Sequence, residues 1–146
     1  MFMKVFMWVF LAAVLIQFVP FGRTHVNPPV AKEPDWNSPT TRELIRRACF
    51  DCHSNETTWP WYSNVAPVSW LVQRDVNGGR CHLNFTEWDR SQEHAKDVAE
   101  EVKQGDMPPW LYLPMHPGAK LNDAEKQMLI DGVEKSLGPQ ATPKKR

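Results

Sequence analysis

Cys49-Phe50-Asp51-Cys52-His53 sets two thiols three positions apart and an imidazole on the very next residue. Residues i and i+3 share one face of a helical turn. Two thiols so placed can each add to one vinyl group of a haem, and the following histidine is then held beneath the porphyrin, where a ring nitrogen can ligate the iron. Leu44, Ile45 and Ala48 precede the motif at helical spacing, so Cys49 and Cys52 continue an apolar face that points inward. Three other chemistries use a C-x-x-C pair: half of a zinc site, a redox dithiol, and a plain pair of buried thiols. Zinc needs a second close pair of ligands, and Cys81-His82, two adjacent residues that rarely both reach one ion, is the only candidate. A thioredoxin-type dithiol belongs in a βαβ context, and no strand pattern surrounds this motif. Covalent haem, with Cys49 and Cys52 as thioethers and His53 as proximal ligand, is the reading that the spacing favours.

An iron held by His53 has an opposite face. The stretch Gly105-Asp106-Met107-Pro108-Pro109-Trp110-Leu111-Tyr112-Leu113-Pro114-Met115-His116-Pro117 offers its ligands. Met107 is the first candidate, since a thioether presented by a proline-stiffened loop would complete six-coordination and raise the reduction potential. His116 and Met115 are the alternatives, and bis-histidine ligation through His116 would lower the potential instead. An open sixth position is the remaining possibility. The aromatic run from Trp59 to Trp70 supplies core, and Trp59, Trp61 and Tyr62 are expected to wall one haem edge. An indole N–H or the Tyr62 hydroxyl would then bond a propionate. A backbone carbonyl near Pro60 is expected to accept the His53 ring N–H and fix its tautomer.

The elements that must position these groups are helical. The 146 residues make one small domain with 17 basic and 17 acidic side chains, and neither that balance nor any basic stripe points to nucleic acid. Thirteen prolines and seven glycines make it loop-rich, and a haem would serve as the apolar staple that so small a core needs. Three cysteines are too few for a disulfide scaffold; Cys81, left alone, is expected to be a buried inert thiol. Val5 to Phe21 is apolar apart from Gln17 and Pro20, with Lys4 before it and Arg23 after. As a helix of about 25 Å it would nearly span a ~30 Å hydrocarbon core, so residues 1–22 read as an uncleaved membrane anchor, with a cleaved signal sequence as the alternative. Residues 23–38 read as a proline-rich linker in which His25 is solvated. Ser38-Pro39 caps and starts the helix that feeds the motif. Further helices are expected from Pro67 to Val76, closed by Gly78-Gly79, and from Arg90 to Gln104, ended by Gly105, with His82 and His94 at the surface. Asn122 and Glu125 form a capping box for a last helix that Gly138-Pro139 stops, and the tail 139–146 is expected to be disordered. The haem domain is thus residues 39–138.

This order of parts resembles a class I cytochrome c. More closely, the chain is similar to the bacterial haem-binding domain family of small, often membrane-anchored proteins. The matching residues are Asn27-Pro28-Pro29, Cys49 to Asn55, Trp59 to Trp70, Gly79-Arg80, Leu83-Asn84-Phe85, Met107-Pro108-Pro109 and His116-Pro117 with Leu121. The resemblance covers roughly Arg23 to Leu137. It implies an all-α, cytochrome c-like domain around one covalent haem c, preceded by a membrane helix and facing the periplasm from the bacterial cytoplasmic membrane, or soluble in the periplasm if the leader is cleaved. Met115, six residues before Leu121, fits the usual cytochrome c spacing better than Met107, while His116 belongs to this family's own pattern. The expected role is one-electron transfer with a redox partner protein, that of a carrier more than of an enzyme. A haem-based sensor, small-molecule binder or peroxidase with an open or displaceable sixth ligand is the alternative, and a zinc-bound structural module is a third.

Overall fold

A computed structural model describes residues 2–138. Among them are five α-helices: α1 (Phe2–Leu15), α2 (Pro39–His53), α3 (Val68–His82), α4 (Val98–Gln104) and α5 (Asp123–Leu137), with short 3-10 turns between. No strand occurs among the described residues beyond an isolated bridge between Lys32 and Glu87. The domain is all-α. The expected tail 139–146 lies outside the described residues.

The two helices with clear capping signals form where the sequence puts them. The Ser38 hydroxyl accepts from the Thr41 amide at 3.1 Å with Pro39 at the first position, and α2 runs unbroken to His53. At α5, Asn122 accepts from the Glu125 amide and the Glu125 carboxylate accepts from the Asn122 amide, both at 2.9 Å. These reciprocal bonds satisfy donors that the first turn would otherwise leave unpaired. The inner face of α2 (Leu44, Ile45, Ala48) meets Leu129, Val133 and Leu137 of α5 in one apolar core, completed by Val98 and Val102 of α4. Phe85, 1 % exposed, is the hub of that core, with Phe50, Trp88 and Trp36 packed around its ring.

Three segments depart from the sequence-based expectation. Helix α3 does not stop at Val76 but continues through Gly78-Gly79 to His82. At Gly79 the close approach is the reason: any Cβ there would strike the Cys52 carbonyl, so the residue is glycine for packing and not for termination. Arg80 then pins the last turn, donating to the Ser54 carbonyl at 2.7 Å and to Asn27 Oδ1 and Thr57 Oγ1 at 2.8 Å each. Tertiary contacts of this kind override glycine's helix penalty of about 1 kcal/mol. This register buries Val76 and Leu83 and turns Cys81 outward, so Cys81 is an exposed thiol, not a buried one. In the second segment the helix expected from Arg90 begins only at Val98, after a 3-10 turn at Ala95–Asp97. Gln92 is the cause: it is buried, accepts from the Asn84 amide and donates to the Glu87 carbonyl at 2.9 Å each, which holds the preceding residues in a turn.

The third segment is the proline-rich stretch, which lies along the domain. Ala31 and Lys32 amides donate to the Thr86 carbonyl, and the Trp88 amide donates back to Lys32. His25 is not solvated: its ring stacks on Trp59 at 4.7 Å and its Nε2 lies 3.1 Å from the Ser63 carbonyl. Ahead of it, α1 has 14 residues, all exposed, and passes through a 3-10 turn at Ile16–Phe18 before the chain extends at Val19. The helical stretch therefore ends short of Phe21, and no helix among the described residues is long and apolar enough to cross a membrane.

Candidate functional site

The motif occupies the last turn of α2, and its two thiols have different surroundings. Cys49 packs against the apolar core, while Cys52 faces a cleft and lies under the backbone of α3 at Gly79. Burial pushes the Cys49 thiol up to about 12, reinforced by Cys52. Burial likewise pushes Cys52 up to about 11, with Asp51 adding to it. Both are therefore protonated thiols at neutral pH. Among the described residues no group of three or more His, Cys, Asp or Glu is arranged to hold a metal ion, which leaves the zinc module without a ligand set. His82 and His94 are exposed, as expected, their rings 5.4 Å apart.

His53 is half-buried beside Phe85, and its Nδ1 lies 3.1 Å from the Leu83 carbonyl. The partner is thus Leu83, at the end of α3, and not the Pro60 loop, whose carbonyl is taken by the Ser63 amide. A carbonyl only accepts, so Nδ1 carries the proton and Nε2 keeps its lone pair. Burial, the largest influence, lowers the pKa of His53 from its ordinary value and keeps the ring neutral. A neutral imidazole with an oriented, unprotonated Nε2 is the state that ligates a metal.

Beside Cys52 the cleft is lined by Asp51, Tyr62, Val76, Tyr112 and His116. It is small, about 60 Å³. Trp61, Leu111 and Met115 stand next in sequence to lining residues and Trp110 one position further, and they are exposed by 73, 70, 56 and 75 %.

The cleft brings together some of the expected residues and not others. Tyr62 is in it and Trp61 packs edge-on against the Tyr62 ring, whereas Trp59 faces away, stacked on His25 and donating to Asn27 Oδ1 at 3.1 Å. Of the three distal candidates, only His116 lines the cleft with Cys52. Met107 is half-buried outside it, its amide on the Glu101 carbonyl at the end of α4, and Met115 is exposed. His116 is held on three sides. Its Nδ1 lies 3.0 Å from the Tyr112 carbonyl, its Nε2 lies 3.2 Å from the Tyr62 hydroxyl, and its ring stacks on Tyr112 at 3.8 Å. His116 therefore has the same tautomer as His53, with Nδ1–H on a carbonyl and Nε2 an acceptor.

Tyr112 is the residue that sequence reasoning missed. Its hydroxyl donates to Asp51 Oδ2 at 2.6 Å, tying the Gly105–Pro117 loop to the interior of the C-x-x-C-H motif. Burial, then the Asp51 carboxylate, raises its pKa and keeps it a donor. The i, i+4 spacing of Tyr112 and His116 was the available signal, but it becomes visible only when the loop is known to turn helically there.

No curated protein and no solved structure matches the chain. A family model described as a haem-binding domain matches residues 11–135, which takes in every residue of the cleft. The chain belongs to the haem-binding domain family, and a haem is its cofactor.

Proposed function

We propose that the haem is of the c type, attached through Cys49 and Cys52 with His53 as proximal ligand, and that the chain is a membrane-tethered, periplasm-facing one-electron carrier. The observation that carries this reading is His53, kept neutral by burial and held by the Leu83 carbonyl with Nε2 free, one residue from the free, protonated thiol of Cys52. Addition of a thiol to a vinyl group needs an unpaired cysteine, and both motif cysteines are unpaired. The exposed side chains of Trp61, Trp110, Leu111 and Met115 would offer apolar surface to such a group.

His53 and Cys49 do not themselves line the cleft, but of the three distal candidates His116 alone lies beside Cys52, which favours it over Met107 as the distal ligand. It would have to exchange the Tyr62 hydroxyl for the metal at Nε2, since that hydroxyl now holds the lone pair. A bound haem supplies reversible one-electron chemistry at iron, at a potential set by axial ligands and burial. The Leu83 carbonyl orients the His53 imidazole, and the Tyr112 carbonyl and ring orient that of His116. The Tyr62 contact also supports a second reading, in which the sixth position is displaceable and the protein is a sensor, small-molecule binder or peroxidase.

The tether is α1. Its side chains are apolar apart from Lys4 near its start, and all are exposed from Phe2 to Leu15. A protein groove covers one stripe of a helix, whereas lipid covers all of it. At 14 residues it measures about 21 Å, so a ~30 Å hydrocarbon core would have to thin around it.

Carbon monoxide separates the two functional readings. Added to the reduced holoprotein it should barely alter sharp c-type α and β bands if His116 holds the iron. Rapid, complete binding would give the site to the sensor or peroxidase reading. His116→Ala should open the site to carbon monoxide while Met107→Ala leaves it closed, and the reverse pattern would restore Met107 as ligand.

A further inference from the structure

Gln17 is the one polar side chain between Lys4 and Arg23, and every hydrogen-bonding position of its amide is used. Nε2 donates to the Ala13 carbonyl within α1 at 3.0 Å and to the Ala66 carbonyl of the domain at 2.9 Å. Oε1 accepts from the Ala66 amide at 3.0 Å and from Arg23 Nη2 at 2.9 Å. Arg23 Nη1 also donates to the Gln17 carbonyl at 2.7 Å. A primary amide has two donor hydrogens and two acceptor lone pairs, so Gln17 is saturated and joins three pieces of chain. Next to it, Gly22 has a φ of 76° and lies so close to the Ser69 carbonyl that no Cβ could be placed there. The segment is buried at Gly22 against the first turns of α3. A free tether would leave these groups to water.

From these contacts we infer that Gln17 to Arg23 is a rigid joint, which holds the domain at one fixed bearing on a lipid bilayer. Phe18, Phe21 and Val65, exposed by 80, 56 and 41 %, form an apolar collar at the joint, continuous with the bare surface of α1, and lipid is the occupant that continuity specifies. The inference rests on the reading of α1 as membrane-inserted. Its consequence is that the cleft stands at a set height and angle above the membrane, so that a partner on the same membrane always meets the same side of it.

Cys81 is exposed on α3, the helix to which the joint is fastened, and it provides a label site independent of haem. The full-length chain, with a nitroxide on Cys81, is placed in nanodiscs of phosphatidylethanolamine and phosphatidylglycerol carrying gadolinium-labelled headgroups. Pulsed-EPR distances should form one narrow distribution. Gln17→Ala should broaden it at least twofold without changing the melting of the domain. Gly22→Ala, which attacks the joint through a different contact, should do the same and keeps the test decisive if the first variant folds poorly. A wild-type distribution as broad as the variants', or variants as narrow as wild type, overturns the rigid joint while leaving the anchor intact. A folded chain that stays out of the nanodiscs overturns the anchor and the joint with it.

Discussion

Tyr112→Phe removes one oxygen atom and with it the only side-chain bond from the Gly105–Pro117 loop to the attachment motif. The bond runs from a phenol to a carboxylate at 2.6 Å, and hydrogen bonds to charged groups contribute about 1.5–3 kcal/mol net. Asp51 keeps a second donor, the Thr58 amide at 2.9 Å, so the carboxylate is not orphaned and the lower end of that range applies. The stacking of residue 112 on His116 survives in phenylalanine. The expected loss is therefore about 1.5 kcal/mol, which for a domain near 100 residues lowers the melting midpoint by roughly 6 °C. Thermal melts of the haem-free chain followed by circular dichroism measure it directly. A cycle with Asp51→Asn should show the two changes coupled by about 1 kcal/mol. The pH dependence has a definite sign. Tyr112 has its pKa raised in the folded state, so its contribution is complete below the ordinary tyrosine pKa of about 10 and is lost as pH rises beyond it. The gap between wild type and variant should close in alkali. Equal melting midpoints at pH 7, or a gap that widens above pH 10, would refute the reasoning.

Other perturbations test separate parts of the structure. Glu33 accepts from Arg42 and Trp36, and the Arg42 bond, the largest influence, lowers its pKa. Glu33→Gln should cost about 0.5–1 kcal/mol at pH 7, and urea titrations should find that difference vanishing as pH falls through the carboxylate range, since the stabilisation exists only above it. Gly79→Ala should destabilise by about 1–3 kcal/mol, because the added methyl meets backbone at Cys52 and not a movable side chain; an unchanged urea midpoint would contradict the close approach. In the haem-free native chain a thiol reagent should modify the exposed Cys81 faster than the half-buried Cys49 and Cys52, whose thiols burial pushes up to about 12 and 11. Three fast thiols by mass spectrometry would place the motif cysteines outside the core.

Much of this was legible in the residues themselves. Ser38-Pro39 and the Asn122–Glu125 pair are local devices whose partners lie within a turn, and both form as read. The inward face of Leu44, Ile45 and Ala48 carries into Cys49 by periodicity alone. What failed depended on distant partners. Gly78-Gly79 reads as a helix stop until the backbone of Cys52 is brought against it. Gln92 reads as a helix former until Asn84 and Glu87 claim its amide. Nothing local tells that the Gly105–Pro117 loop turns His116, with Tyr112 behind it, towards Cys52. The C-x-x-C-H motif lies within one helix and is readable, whereas the contacts that bring Tyr112 and His116 to Asp51 and Cys52 come from a distant loop and are not.

Covalent attachment of haem at Cys49 and Cys52 is the centre of the proposed function. The measurement that tests it most directly is haem retention by the chain, expressed with the haem-attachment machinery, after denaturation and acid–acetone extraction. The wild-type polypeptide should keep one haem per chain, with the pyridine haemochrome band position of a haem whose two vinyl groups are saturated. The Cys49→Ala, Cys52→Ala double variant should release all of it. Wild-type protein that surrenders its haem to the solvent on denaturation would contradict the account.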